Sequence, residues 1–387
     1  MAQRLEDKTI EGAVELLKTN GFEALGDAVT VLLNSAMAAE RSDYLGATPY
    51  ERTALRSGYA NGYKDKTVKT RLGAMHLRVP QTRDAEFYPQ SLEKGLCSER
   101  ALLLAIAEMY VQGVSTRRVK KIVEELCGLE ISSTQVSRAA AQLDAVLEAW
   151  RTRELGCYRY VVLDARYEKV RQGGQVLDAA VLIACGVSDQ GHRDVVGCSV
   201  SLSEAEVHWR KFLSELKDRG LHGVELIVSD AHEGLGAARK AVFPSVPWQR
   251  CQFHLQQNAG HYVPSVAMRA PVAADIRAIF TAPDRDEAEH LLSKFLDRYQ
   301  TSAPKLVAWA EEALPQGFTV FALPASHRRR LRTTNLLERL NEEIRRRTRV
   351  ARLFPNEESC LRLVSAVLME IAEDWQTADK RYVTFGD

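Results

Sequence analysis

Two aspartates stand where apolar runs stop. Asp164 follows "YRYVVL" and is succeeded at once by Arg166, Tyr167, Glu168, Lys169 and Arg171. Asp230 closes "GVELIVSD". Both runs read as strands, the second so apolar that it suits a strand buried on both faces of a mixed or parallel sheet. In α/β sheets, sites gather beyond the carboxyl ends of strands. If these two strands are neighbours, their carboxylates meet. At ~4 Å and an effective dielectric of ~20 they repel by roughly 4 kcal/mol. A divalent cation reverses that sign. Hard oxygen donors without a Cys₂His₂ set point to Mg²⁺ or Mn²⁺ rather than Zn²⁺. Two such ions ~3.5–4 Å apart clamp the attacking and leaving oxygens of an in-line phosphoryl displacement. Arg166 and the other basic residues after Asp164 would hold a phosphodiester backbone. Glu168 and Asp178 are expected to be solvated.

A second ion needs a third carboxylate. Positions 326–352 hold ten arginines against three glutamates, Glu338, Glu342 and Glu343. At helical spacing Asn335, Glu338, Asn341, Glu342 and Arg345 share one face. Leu336, Leu337, Leu340 and Ile344 lie on the other sides and can anchor the helix. Spacing does not choose among the three glutamates. It also leaves open that Glu338 merely pairs with Arg332, Arg345 or another of its arginine neighbours. Arg345, with Arg346 and Arg347, is placed to grip DNA. The pair Cys251 and His254 is half a zinc site, with only His261 near. A structural role fits it better. His232 either contacts substrate or caps a helix. Trp309 either stacks on an extruded base or packs in a helix core.

Several elements must position these groups. Three strands are predicted over 158–170, 178–188 and 193–202. A helix over 204–220, the Asp230 strand, a helix near 234–241 and a fifth strand in "VPWQRCQFHLQ" complete an α/β core. Residues 255–325 read as largely helical with proline breaks, and a last helix spans 357–375. Before the core, one helical pattern covers 8–40, and a basic, tyrosine-bearing loop follows with a short strand at "AMHLRVP". That mixture suits phosphate contacts and stacking. Helices over 98–113, 114–128 and 131–150, with Ser115 and Ser132 or Ser133 as caps, resemble a helix-turn-helix as much as a plain bundle. In the former, Ser133, Thr134, Gln135 and Arg138 face bases, and Arg117, Arg118, Lys120 and Lys121 meet phosphate.

Net charge is +1 over 387 residues, so only local clustering argues for nucleic acid. Seven scattered cysteines form no CxxC pair, which speaks against a disulfide framework. "MAQRLEDKTIEGAVELL" lacks the apolar core of a signal peptide, and no apolar run reaches the ~20 residues of a membrane span. The expected compartment is the cytoplasm.

The order of the chain resembles the RNase H-like DDE transposases, in the bacterial insertion-sequence branch of the Mutator superfamily. The resemblance rests on "YERTALRSGYANGYKDKTVKTRLGAMHLRVPQTRD", "VVLDARYEKVR", "IVSDAHEGL", "RCQFH", "TTNLLERLNEEIRRRTRV" and "LFPNEESCLRL", spread over about residues 40–375. It implies an RNase H-like catalytic core at 156–387 interrupted by an all-helical insertion at 255–325. Ahead of it come a helical and basic DNA-binding or dimerisation region at 1–95 and a helix-turn-helix-like domain at 96–155. It implies that Asp164, Asp230 and Glu338 are the catalytic, metal-binding triad. It also implies a homodimer acting on the terminal inverted repeats of a mobile element and on target DNA, cutting and joining strands with two Mg²⁺ or Mn²⁺ ions. The family carries the Cys251–His254 motif, with an aromatic such as Trp248 nearby. A non-catalytic DNA-binding regulator and a nuclease that cuts without joining are the alternatives.

Overall fold

The computed structural model describes residues 7–83, 87–92, 98–351, 353–378 and 380–385. The chain divides into two compact units between Gln142 and Leu143.

In the first unit, α1 (Asp7–Asn20) and α2 (Leu25–Leu45) replace the single helix expected over 8–40. Gly21, at φ +60°, starts the 3₁₀ turn Gly21–Ala24 that separates them; glycine adopts that angle without strain. The basic stretch that follows is more ordered than its composition suggests. β1 (Ala60–Thr70) and β2 (Gly73–Thr82) pair as an antiparallel hairpin. Val68, Met75, Leu77 and Val79 of the hairpin pack on Met37 of α2. β1 is mostly exposed and polar, so it shows no alternation; its ladder to β2 makes it a strand. α3 (Arg100–Val111), α4 (Thr116–Cys127) and α5 (Ser133–Ala141) close on Ile106, Val119, Val123 and Val136. Ser115 caps α4, and Ser132 caps α5 in a capping box with Gln135.

The second unit opens with α6 (Asp144–Thr152), so the helix expected over 131–150 is two. Its sheet comprises β3 (Tyr158–Gln172), β4 (Gln175–Ser188), β5 (Arg193–Ser201), β6 (Leu226–Ser229) and β7 (Trp248–Arg250), in the order β5-β4-β3-β6-β7. β3, β4 and β5 form an antiparallel meander, while β6 and β7 run parallel to β3. α7 (Glu206–Asp218) and α8 (Glu233–Val242) cover one face, packing Trp209, Phe212, Leu213 and Leu235 on Val161, Leu163 and Leu182. Successive strand residues point to opposite faces, so Val161 and Leu163 leave Asp164 for the other side.

After β7, α9 (Gln252–Ala259), α10 (Val266–Phe280), α11 (Arg285–Tyr299) and α12 (Pro304–Ala313) enclose a separate core that includes Leu255, Ile276, Phe295, Leu306 and Phe318. α10 continues through Pro271, where a break was expected. The chain returns through α13 (Ala325–Leu331) to α14 (Asn335–Ala351) and α15 (Glu357–Thr377). These last two cover the second face of the sheet. Asn341 of α14 meets Asp164, and Ser365 of α15 meets Cys198 of β5.

Candidate active site

β3 and β6 are neighbours, and their register decides where the acids go. Tyr160 lies opposite Leu226, Val161 opposite Ile227 and Val162 opposite Val228, an offset of 226 − 160 = 66. The ladder ends there; carried two residues on, past the end of β6 at Ser229, the same offset, 230 − 164 = 66, brings Asp230 beside Asp164. Adjacent strands are ~4.8 Å apart, so the two carboxylates leave the sheet side by side. Asp164 Oδ2 accepts a hydrogen bond from Asn341 Nδ2 at 2.7 Å. Burial pushes the Asp164 carboxyl up to about 6. The Ala165 amide, the His254 charge and Asn341 oppose that rise, and the charge of Asp230 adds to it. Asp230 is more open, and its Oδ1 accepts from Ala231 N at 2.8 Å.

β7 delivers two more groups to this edge. Ser229 lies opposite Arg250, so Cys251 and α9 emerge beside Asp230. Arg250 Nε is 3.9 Å from Asp230 Oδ1, and His254 Nδ1 is 3.8 Å from Oδ2. Cys251 Sγ accepts from Thr334 N at 3.4 Å and contacts Thr334 Oγ1 at 3.5 Å. Gln252 N donates to Arg332 O at 2.9 Å. The approach to α14 is thereby pinned to the end of β7. Burial pushes the Cys251 thiol up, but hydrogen bonds with His254 and Thr334 outweigh it and leave the pKa below the ordinary value. His254 is pushed up to about 9, first by its hydrogen bond to Cys251, against burial, and then by the negative charges of Cys251, Asp230 and Asp164. At neutral pH it is an imidazolium facing two acids.

Glu338 lies in the first turn of α14, half-buried, with its N–H bonded to Thr334 O at 3.2 Å. Asn341, which holds Asp164, is three residues on, and such pairs are ~5–6 Å apart at Cβ. Among the described residues the Glu338 carboxylate has no hydrogen-bond or ion-pair partner, so neither Arg332 nor Arg345 takes it. Glu343 is occupied by Arg346 and Arg347, and Glu342 is exposed. No three His, Cys, Asp or Glu side chains among the described residues converge at metal-ligand spacing. The donors nevertheless suit a hard cation. Asp164 is desolvated beside a second acid, the condition that a divalent ion relieves.

The profile described as "Transposase, Mutator family" matches residues 2–378. The chain belongs to that family. It is 57% identical over 387 residues, all of both chains, to the transposase for insertion sequence element IS406 of Burkholderia multivorans. It is 43% identical over 385 residues to the transposase for ISRM5 of Rhizobium meliloti, covering 99% of this chain and 96% of the relative. The transposase for IS256 in transposon Tn4001 of Staphylococcus aureus is 38% identical over 363 residues, 92% of each chain.

In this Mutator-family transposase several expected DNA contacts are placed differently. Arg117, Arg118, Lys120 and Lys121 are exposed on α4, as are Ser133, Thr134 and Arg138 on α5. Gln135 is exposed too, but its Oε1 accepts from Ser132 N in the capping box. Arg345 is exposed, and Arg346 is exposed but paired with Glu343. Arg347 is not a surface residue: its side chain is 4% exposed and forks onto Glu370 at 2.6 and 2.8 Å. Arg166 is also committed inside, to Glu168 and the Asn341 carbonyl. Glu168 is therefore not solvated; it is held by Arg166 and by Thr348 at 3.0 Å. Asp178 does sit in an open ion pair with Lys169. Trp309 stacks on Tyr262 at 5.3 Å between centroids and packs against the core of the α9–α12 helices. His232 lies 3.5 Å from Glu204 and makes no side-chain cap to α8. His261 is exposed in the turn after α9. Trp248 donates to Ser229 Oγ, the residue before Asp230. Sequence reasoning assigns no role to Asn341 or Arg250. Asn341 is visible at i+3 from Glu338, and Arg250 as the residue before Cys251.

No described helix is long and apolar enough to cross a membrane.

Proposed function

We propose that this protein is a DNA transposase that cuts the ends of a mobile element and joins them to a target, with Asp164, Asp230 and Glu338 as its catalytic acids. The observation that carries this is that Asp164 of β3 and Asp230, just past the end of the neighbouring parallel strand β6, are close enough for the charge of one to raise the other, with a glutamate that has no partner among the described residues one turn before the asparagine that holds Asp164. The sheet order, a three-stranded meander followed by two parallel strands, supports an RNase H-like core at 156–387, and the separate core of α9–α12 supports a helical insertion over 255–325. The substrate puts the work in the cytoplasm.

Mg²⁺ or Mn²⁺, as a pair of ions held by the three acids, would stabilise charge on the attacking and leaving oxygens of in-line displacement. The chain's own residues do the rest. Asn341 fixes the Asp164 carboxylate by donating to one oxygen. Cys251 and Thr334 fix the first turn of α14, and with it Glu338, to the sheet edge. His254 and Arg250 set positive charge beside Asp230, which lowers the repulsion between the acids. Little covalent chemistry falls to the protein, so positioning and charge stabilisation carry the rate. The exposed basic residues of α4 and the start of α5 support a helix-turn-helix reading of 96–155, with Arg117, Arg118, Lys120 and Lys121 on phosphate and Gln135 and Arg138 at base edges. The region 1–95 would add DNA contacts and dimerisation, so that two element ends are held together by a homodimer.

The test incubates purified protein with a labelled element end, a target duplex and Mg²⁺, beside Asp230→Ala. Joined product that disappears in the variant is expected. Cleavage without joining would make the protein a nuclease, and equal product from the variant would remove the acids from the chemistry.

A further inference from the structure

A pocket of about 210 Å³ opens at the start of α14, and four arginines line it: Arg193 of β5, Arg329 and Arg330 of α13, and Arg339 of α14. Among the described residues no carboxylate lines it, and none of the four has an ion-pair partner. Arg166, Arg347 and Arg362, by contrast, each pair with an acid. The arrangement is also built rather than loose. The Arg193 guanidinium lies 4.3 Å from the Trp375 ring centroid and 6.0 Å from that of Tyr382. Arg330 lies 5.2 Å from the same Tyr382 ring. Tyr382 is itself fixed, donating from its hydroxyl to Arg330 O at 3.1 Å and from its N–H to Gly191 O at 2.8 Å. Burial depresses the Arg193 pKa; Tyr382 opposes that, and the neighbouring charges of Arg339 and Arg330 add to it. Asn335, the first residue of the 17-residue α14, completes the wall and brings the positive end of that helix to the pocket.

Converging guanidiniums without an acid are a binding surface for phosphate, whose oxygens accept their paired N–H groups and cancel the repulsion. The pocket shares α14 with Glu338: Asn335 lies three residues before it and Arg339 immediately after. We propose that this pocket seats a backbone phosphate of the DNA strand on which the acids act, a grip separate from the basic face of α4 and α5. The assignment rests on the transposase reading above.

The test needs no catalysis. Duplex DNA is titrated onto the full chain in EDTA at several salt concentrations, for wild type, Arg330→Gln, Arg339→Gln and Arg210→Gln. Arg210 is an exposed α7 residue paired with Glu206, so its variant removes the same charge elsewhere. Arg330 and Arg339 are exposed, and thermal unfolding checks that their variants fold. Each pocket variant should bind more weakly and lose about 0.9 from the slope of log K against log salt, the value of one phosphate contact, while Arg210→Gln keeps the wild-type slope. Wild-type slopes in both pocket variants overturn the seat. A parallel arm adds inorganic phosphate. If it raises the Tm of wild type but not of the pocket variants, and their DNA slopes are unchanged, the pocket takes free anions and the DNA assignment falls. Wild type that fails to bind any duplex would instead sink the transposase reading itself.

Discussion

Replacing Asp164 by asparagine removes a charge that the fold opposes. Burial lifts the Asp164 carboxyl from the ordinary 3.8 to about 6. At 1.36 kcal/mol for each tenfold change in proton affinity, that rise is worth roughly 3 kcal/mol. The side chain keeps some contact with water, and screening brings the figure to about 1–2 kcal/mol. The folded acid holds its proton more tightly than the unfolded one. Wild-type stability is therefore undiminished by this group below pH ~4, falls between pH ~4 and 6, and stays low above. The substituted amide keeps the shape of the carboxylate, and its oxygen can still accept from Asn341. At pH 8 without metal, Asp164→Asn should exceed wild type by about 1–2 kcal/mol, and the gap should close near pH 4. Adding Mg²⁺ at ten times its Kd should return about 1.4 kcal/mol to wild type and little to the variant. Urea unfolding at pH 4.5, 6 and 8, with and without Mg²⁺, measures all of this. A variant less stable than wild type at pH 8, or one that gains as much from Mg²⁺, would show that Asp164 is neither a penalised buried charge nor a metal ligand. Strand joining by the variant would also exclude it as a metal ligand.

Glu338→Gln should leave stability within about 0.5 kcal/mol, since the carboxylate has no partner to lose among the described residues, yet abolish joining in the element-end assay. His254 contributes stability that is fully present below pH ~6.5 and is lost as pH rises through about 9, so the urea midpoint of His254→Gln should be flatter than wild type across that window. Arg347→Ala should cost about 1–2 kcal/mol in chemical denaturation by removing the buried guanidinium and its fork on the half-exposed Glu370. Arg345→Ala, on the exposed side, should change stability by less than about 0.5 kcal/mol while weakening duplex binding in the same salt titration.

Asp230, just past β6, and Asp164, inside β3 where its apolar run stops, are legible in the sequence because an apolar run that stops at a carboxylate has few other uses. Their pairing is not, since register is set by the ladder between β3 and β6 and by nothing local. The arginine-rich helix is legible as a helix but not as two faces. Arg347 falls seven residues after the buried Leu340 and three after the buried Ile344, so helical spacing puts it on the apolar stripe; the run of arginines hides that. Glu168 looks solvated because its partners, Arg166 and Thr348, are respectively too ordinary and too distant in sequence to signal burial. The tie from Cys251 to Thr334 spans 83 positions and has no local signature. β1 lacks alternation and so reads as loop. Turn and cap chemistry is plainer: Ser115 and Ser132 both cap the helices they precede.

Asp164, Asp230 and Glu338 are expected to hold the same divalent ions. Anomalous diffraction from Mn²⁺ in crystals of the protein bound to element-end DNA would locate those ions. The expected result is manganese signal within coordination reach, roughly 2.1 Å, of oxygens from all three side chains. Manganese bound elsewhere, or bound by the two aspartates with Glu338 turned away in the presence of DNA, would contradict it.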